Sequence, residues 1–229
     1  MIVEWCRFYD SISKVVFLRQ ARKTRDEFVA ELCDVGGRLL DIGMAEHTAK
    51  YVESADWFHR RLRATEPRNE VWGADINASL VDYVRAHTGW ERIICADATA
   101  EPFIPGYFDA IHAGDIIEHV SNLSGFMQFC RGALKPGGKL VITTPNPHAS
   151  RIVRSAFRYG NVIANMEHTC WLSPSTMNEL ARREGFILSE SWYLWKWKRT
   201  FITRFPKKFF KLRDLHFPEY LFILNSAVS

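Results

Sequence analysis

The chain reads as a single α/β domain: a mostly parallel sheet of seven strands, covered by helices on both faces and closed by an antiparallel last strand. Three observations predict it. Short apolar runs alternate with helical stretches from residue 38 onward, the pattern of a parallel sheet covered on both faces. The runs end in or just before acidic residues, Asp41, Asp75 and Asp97, with Asp115 two residues beyond the fourth. Two long apolar stretches near the C-terminus, with no helix fitting between them, pair as antiparallel strands.

Each element follows in order. Residues 11–34 read as a polar, amphipathic helix ended by Gly36-Gly37, within an N-terminal helical segment over 1–37. Leu39–Gly43 is the first strand, followed by a helix from about Glu46. Val71–Asp75 is the second, with Asn77 as N-cap of a helix through Ala86. Arg92–Asp97 and Phe108–Ala113 are the third and fourth. A helix over Leu123–Leu134 leads through Pro136-Gly137-Gly138 into a fifth, Lys139–Thr143. Residues 145–168 read as an insertion on the acceptor side. A helix from Pro174 to Arg183, closed by Gly185, precedes the two pairing stretches, Phe186–Trp195 and Tyr220–Val228, which flank a basic, aromatic insertion over 196–218.

The 229 residues carry 30 Lys plus Arg against 26 Asp plus Glu, a net charge of +4, which excludes a disordered chain given the 14% aromatic content. That charge is unevenly placed. Lys196 to Arg213 holds eight basic residues and no acidic one, so the rest sums to 22 minus 26, or −4. The five cysteines are widely spaced and include no C-x-x-C pair, which fits neither a disulfide framework nor a zinc site and suits a reducing cytoplasm. Glu4, Arg7 and Asp10 interrupt any signal-peptide core, and no segment has the ~18 apolar residues of a spanning helix.

In an open parallel sheet the ligand crevice lies beyond the carboxyl ends of the strands, so the four carboxylates are expected around one site. Asp75 suits ribose, because a carboxylate accepts from both vicinal hydroxyls; the alternative is that these residues cap the following helices. A dinucleotide site would need G-x-G-x-x-G at the first turn, where only Gly43 stands, and an acidic residue about 20 positions on. Asp75 is 34 positions after Asp41.

Leu39-Leu40-Asp41-Ile42-Gly43, Gly73-Ala74-Asp75-Ile76, Cys95-Ala96-Asp97-Ala98, Phe108–Ile111 with Glu118-His119-Val120, and Leu134–Gly138 together resemble the ordered motifs of class I S-adenosylmethionine-dependent methyltransferases. The resemblance runs from about Arg38 to the C-terminus and implies a Rossmann-like sheet and S-adenosylmethionine as cofactor. It implies that Asp41, Gly43 and Ala45 form the first cofactor turn, with Asp75 on the ribose and Ile76 against the adenine. Asp97 and Ala98 would then lie at the adenine amine, and Gly114 near the methionine portion. Where the family usually has further glycines, this chain has Ala45 and His47, so a non-catalytic partner protein that keeps the fold is the reading opposed to the enzyme.

If the acceptor is a hydroxyl, a base takes its proton, and His is the usual one near neutral pH. His119 and His168 are the candidates; His112, inside the fourth strand, reads as a core histidine. Asp115, Glu118 and His119 are similar to a pattern associated with magnesium in O-methyltransferases of the coenzyme Q pathway. The alternative is that Glu118-His119 starts the next helix without a metal, and no metal ligand is assigned. Arg151, Arg154 and Arg158 fall on one helical face, read as a solvated surface or as a lid over an anionic acceptor.

Aromatic residues interleave with the basic run of 196–213, a composition suited to an anionic membrane surface, to nucleic acid or to a dimer. The expected acceptor is small or lipid-linked, a surface-glycan precursor or an isoprenoid or quinone-like ring. The resemblance to surface-polysaccharide methyltransferases around Thr143–Pro147 points the same way. Nucleic acid is the lesser reading, because no added binding module is evident. The expected location is the cytoplasm, peripheral to the membrane.

Overall fold

The computed structural model describes residues 18–21, 23–45, 48–102, 104–162, 165–195 and 217–226. Its centre is one sheet of eight strands. In chain order these are β1 (Leu18–Gln20), β2 (Arg38–Ile42), β3 (Glu70–Asp75), β4 (Ile93–Cys95), β5 (Phe108–Gly114), β6 (Leu134–Pro145), β7 (Phe186–Leu194) and β8 (Glu219–Ser226). Across the sheet they run β1-β7-β8-β6-β5-β2-β3-β4. All neighbouring pairs are parallel except those made by β8. The strands are flanked by α1 (Arg25–Cys33), α2 (Ala49–Val52), α3 (Phe58–Arg63), α4 (Ala78–Thr88), α5 (Leu123–Ala133), α6 (Ser150–Tyr159) and α7 (Pro174–Arg183).

Alternation along the strands assigns the two faces. Leu40, Ile42, Ile111, Ala113, Leu140 and Ile142 pack with Phe126 and Cys130 of α5 and Met177 of α7. Their neighbours Leu39, Ala110 and Val141 pack on the other side with Val29 and Cys33 of α1 and Leu62 of α3. A third cluster joins Val81 and Val84 of α4 to Trp57, Ala45 and Ile93. Period-two side-chain direction explains why consecutive residues serve opposite clusters.

The N-terminal part departs from the expectation. Among the described residues of the helix expected over 11–34, Arg25–Cys33 is helical and Leu18–Gln20 is instead an eighth strand pairing with Ser191–Tyr193 of β7, while residues 11–17 lie outside the described residues. Thr24 sets the start of α1: its hydroxyl accepts from Glu27 N while the Glu27 carboxylate accepts from Thr24 N, a capping box. The single helix expected after β2 is two short ones, separated where the Ser54 hydroxyl accepts from Asp56 N and Ser54 O from Trp57 N. Trp57 then turns inward, 1% exposed, donating its indole N–H to Met44 O at 2.6 Å. The C-terminal pairing is as expected, antiparallel with Leu194 opposite Glu219. The basic run 196–213 and His47 lie outside the described residues.

Candidate active site

The site is built at the carboxyl ends of β2, β3, β4, β5 and β6. Gly43 leaves β2 with φ +74°, a left-handed backbone that favours glycine, and a Cβ there would collide with the Ile116 side chain. Ala45 is fully buried in the cluster beneath α4, so its methyl fills the core. Its backbone N–H donates to Asp75 Oδ2 at 3.2 Å, while Asn77 N donates to Asp75 Oδ1 at 2.9 Å. These bonds fix the carboxylate at the end of β3 and leave each oxygen a further lone pair. Ile76, next to it, is 70% exposed, an apolar platform open to a ligand. Asp97 stands past the end of β4, in an exposed turn; hydrogen bonds from the Thr99 hydroxyl and backbone hold it below the usual carboxylate range. Ala98 is half-buried behind it.

Asp41 stands apart from that ring. It is 3% exposed and accepts from His112 Nδ1 at 2.6 Å and from His59 Nδ1 at 2.8 Å. Burial alone would raise its pKa, but the bonds from His112 and His59 outweigh it and take the carboxyl down to about 2. His112 is buried, as expected of a core histidine.

The β5–β6 end carries a second group of charges. Asp115 adopts φ +53°, a left-handed conformation costly for a residue with a Cβ. Its carboxylate is 2.8 Å from Arg25 Nη1. The Arg25 Nη2 donates to Thr143 Oγ1 at 2.9 Å, and Arg25 Nε lies 3.6 Å from Glu219. Burial opposes the Arg25 charge, but Asp115, Glu219 and Asp26 outweigh it and raise its pKa. Sequence reasoning missed Arg25 and Glu219. The Thr24-x-x-Glu27 signature would have started α1 at Arg25; Glu219 needed the β6–β8 register, in which it faces Pro145.

Beyond Asp115, a 3₁₀ turn over Ile117–His119 buries Glu118, 1% exposed, with Oε2 accepting from the Thr144 hydroxyl at 3.1 Å. Burial first, then the Asp115 charge, push its carboxyl up to about 7. The Glu118 carbonyl accepts from Thr169 N at 2.8 Å, pinning 168–170 to the turn. That brings the His168 and His119 rings edge to face at 4.8 Å between centroids. Burial and His119 lower the His168 pKa, which favours the neutral, proton-accepting ring. The structure thus joins the two sequence-predicted histidines.

Glu118, His119 and His168 bring ligand atoms within 4.8 Å of one another. Magnesium prefers an oxygen-rich octahedral shell, and this group offers one carboxylate with two imidazoles while Asp115 is engaged by Arg25. The residues do not fit magnesium, which corrects the magnesium implied by the resemblance.

Residues 16–190 match the family model described as a methyltransferase domain. The chain belongs to this methyltransferase family. It is 28% identical over 201 residues to the ubiquinone/menaquinone biosynthesis C-methyltransferase of Desulfotalea psychrophila, covering 78% of each chain. It is 23% identical over 197 residues to the ubiquinone biosynthesis O-methyltransferase of Chromobacterium violaceum, covering 80% of this chain and 78% of that one. Its fold is similar to that of an S-adenosylmethionine-dependent methyltransferase from Archaeoglobus fulgidus, with TM-score 0.62 and 19% identity over 88% of this chain and 94% of the other. The protein is an S-adenosylmethionine-dependent methyltransferase, and the methyltransferase reading replaces that of a non-catalytic partner. The glycine turn at Gly43, the anchored Asp75 carboxylate and the open face of Ile76 fit the cofactor.

Proposed function

We propose that this methyltransferase acts on a hydroxyl of a small or lipid-linked, quinone-like acceptor. When bound, the cofactor supplies a methyl group on a sulfonium, open to in-line displacement. Asp75 would hold the ribose and Ile76 the adenine, with Asp97 and Ala98 at its amine and Gly43 and Gly114 along the methionine portion. The observation that carries the hydroxyl reading is the His119–His168 pair, 4.8 Å apart at the edge shared by β5 and β6. A hydroxyl must lose its proton as the methyl arrives, and a neutral imidazole at that edge accepts it. His168 is the base in this reading, with His119 against its ring and Glu118 behind. Relatives named for quinone biosynthesis support the acceptor class; one is named for transfer to carbon, the other to oxygen.

The membrane reading has support in α6. Its three arginines, Arg151, Arg154 and Arg158, are exposed and the helix carries no acidic residue. Phe157 is 87% exposed, Tyr159 60% and nearby Met166 100%. Exposed aromatic and basic side chains together suit an anionic lipid surface, where a lipid-linked acceptor resides.

The test is transfer of labelled methyl from S-adenosylmethionine to a hydroxylated, prenylated quinol, with product analysis. The expected product is the O-methyl ether, with kcat lowered about 10²-fold or more in His168→Ala, the range of a lost general base. Methyl on the ring carbon, or an unchanged kcat, counts against the reading.

A further inference from the structure

Asp41 and its two histidines form a buried polar cluster that the transfer step described above does not use. Asp41 on β2 and His112 on β5 are register partners, and His59 reaches the same carboxylate from α3. An ionised carboxylate only accepts, so each Nδ1 donates, and a ring that holds just this one proton offers Nε2 as an acceptor. Both Nε2 atoms are buried with no hydrogen-bond partner among the described residues. A buried acceptor left without a donor calls for an explanation.

The two rings differ in what they face. His59 is enclosed: its ring lies 5.4 Å from Trp57 and 5.7 Å from Trp90, and its Cε1 packs toward Gly73 beside Met44 and Ile93. His112 instead leans along β5 toward the carboxyl end of the strand. A Cβ placed on Gly114 would stand 2.8 Å from His112 Cε1 and 3.0 Å from its Nε2, and 3.3 Å from Arg25 Nη2. An acceptor and a guanidinium therefore converge on one spot at Gly114, at the site edge. The zwitterionic end of the cofactor offers the complement, an ammonium that donates and a carboxylate that accepts.

We propose that His112 Nε2 accepts a hydrogen bond from the α-ammonium of S-adenosylmethionine. Asp41, with both oxygens engaged by imidazoles, acts on the cofactor through His112. The inference rests on the cofactor assignment and adds to it a residue that selects ligands bearing the amino-acid portion.

Calorimetric titration with S-adenosylmethionine, S-adenosylhomocysteine and 5′-methylthioadenosine tests it, since the last keeps the adenosine and sulfur but lacks the amino acid. In His112→Phe the Kd for the first two is expected to rise about tenfold, the effect of a lost hydrogen bond to a charged group, with methylthioadenosine changed by less than about twofold. An equal loss for all three, as a structural role would give, or no loss, overturns the proposal. Wild-type protein labelled with ¹⁵N-histidine covers the case in which the variant does not fold. The His112 Nε2 resonance is expected to move on saturation with S-adenosylhomocysteine and not with methylthioadenosine; an unmoved resonance overturns the proposal. A wild-type chain that binds none of the three overturns the cofactor assignment, and this inference with it.

Discussion

Two buried carboxyls show how neighbours decide what burial does. Asp41 accepts two imidazole N–H groups and titrates at about 2, below its ordinary 3.8. Glu118 has one hydroxyl donor and faces the Asp115 charge, and titrates at about 7, above its ordinary 4.5. The consequences for stability have opposite sign. The Asp41 contribution is present above about pH 4 and is lost as pH falls through 2. For Glu118 the folded state binds its proton more tightly, so its contribution is present below about pH 4.5 and is lost as pH rises through 7. Glu118→Gln is therefore expected to flatten the decline between pH 4.5 and 7. It should make the protein more stable than wild type at pH 8, by about 1–3 kcal/mol on the scale of 1.36 kcal/mol per pKa unit. Urea unfolding at a series of pH values checks this; identical wild-type and variant curves at pH 8 would refute the assignment. The pattern Glu118-His119 was legible as a candidate in the sequence, but the elevated carboxyl was not. It depends on burial, with the chain at 169–170 bonded to the Glu118 carbonyl, and on the Asp115 charge, which together outweigh the opposing hydrogen bond from Thr144.

Elements whose apolar runs lie between turn residues were legible, because period and punctuation are local properties. Asn77 was read as the cap of α4, and its side chain does accept from Leu80 N. Within the helix expected over 11–34, the strand at Leu18–Gln20 was not legible. Leu18–Gln20 is a strand because its register partners on β7 lie 173 residues away in the chain, a pairing that local pattern does not reveal. The start of α1 matters to the site because Arg25 is its first residue. Thr24→Ala removes the capping box and is expected to lower stability by about 1 kcal/mol, with Thr24→Ser close to wild type. Thermal unfolding of both variants checks this, and equal melting temperatures for Thr24→Ala and wild type would show that the cap does not hold α1.

At the scale of the whole molecule, the sheet order decides what meets what. The antiparallel entry of β8 beside β6 puts Glu219 opposite Pro145, and Asn146 donates to Phe217 O at 2.8 Å. Trp195 and Phe217, whose ring centroids lie 5.0 Å apart, thus stand beside the strand end that leads to α6. Reversing Arg151, Arg154 and Arg158 to Glu is expected to reduce sedimentation with phosphatidylglycerol vesicles severalfold and to leave the weak sedimentation with phosphatidylcholine unchanged. Unchanged sedimentation with the anionic vesicles would remove α6 from the membrane reading. By itself the sequence determined the α/β alternation, the antiparallel closing pair, the glycine turn at Gly43 and the ordered acidic positions, because periodicity and backbone requirement are written in adjacent residues. Only the tertiary structure decided that Asp41 is withdrawn onto two imidazoles, that Arg25 and Glu219 reach the site, and that His119 and His168 meet. Each of these depends on residues between 18 and 194 positions apart, brought together by strand register and burial.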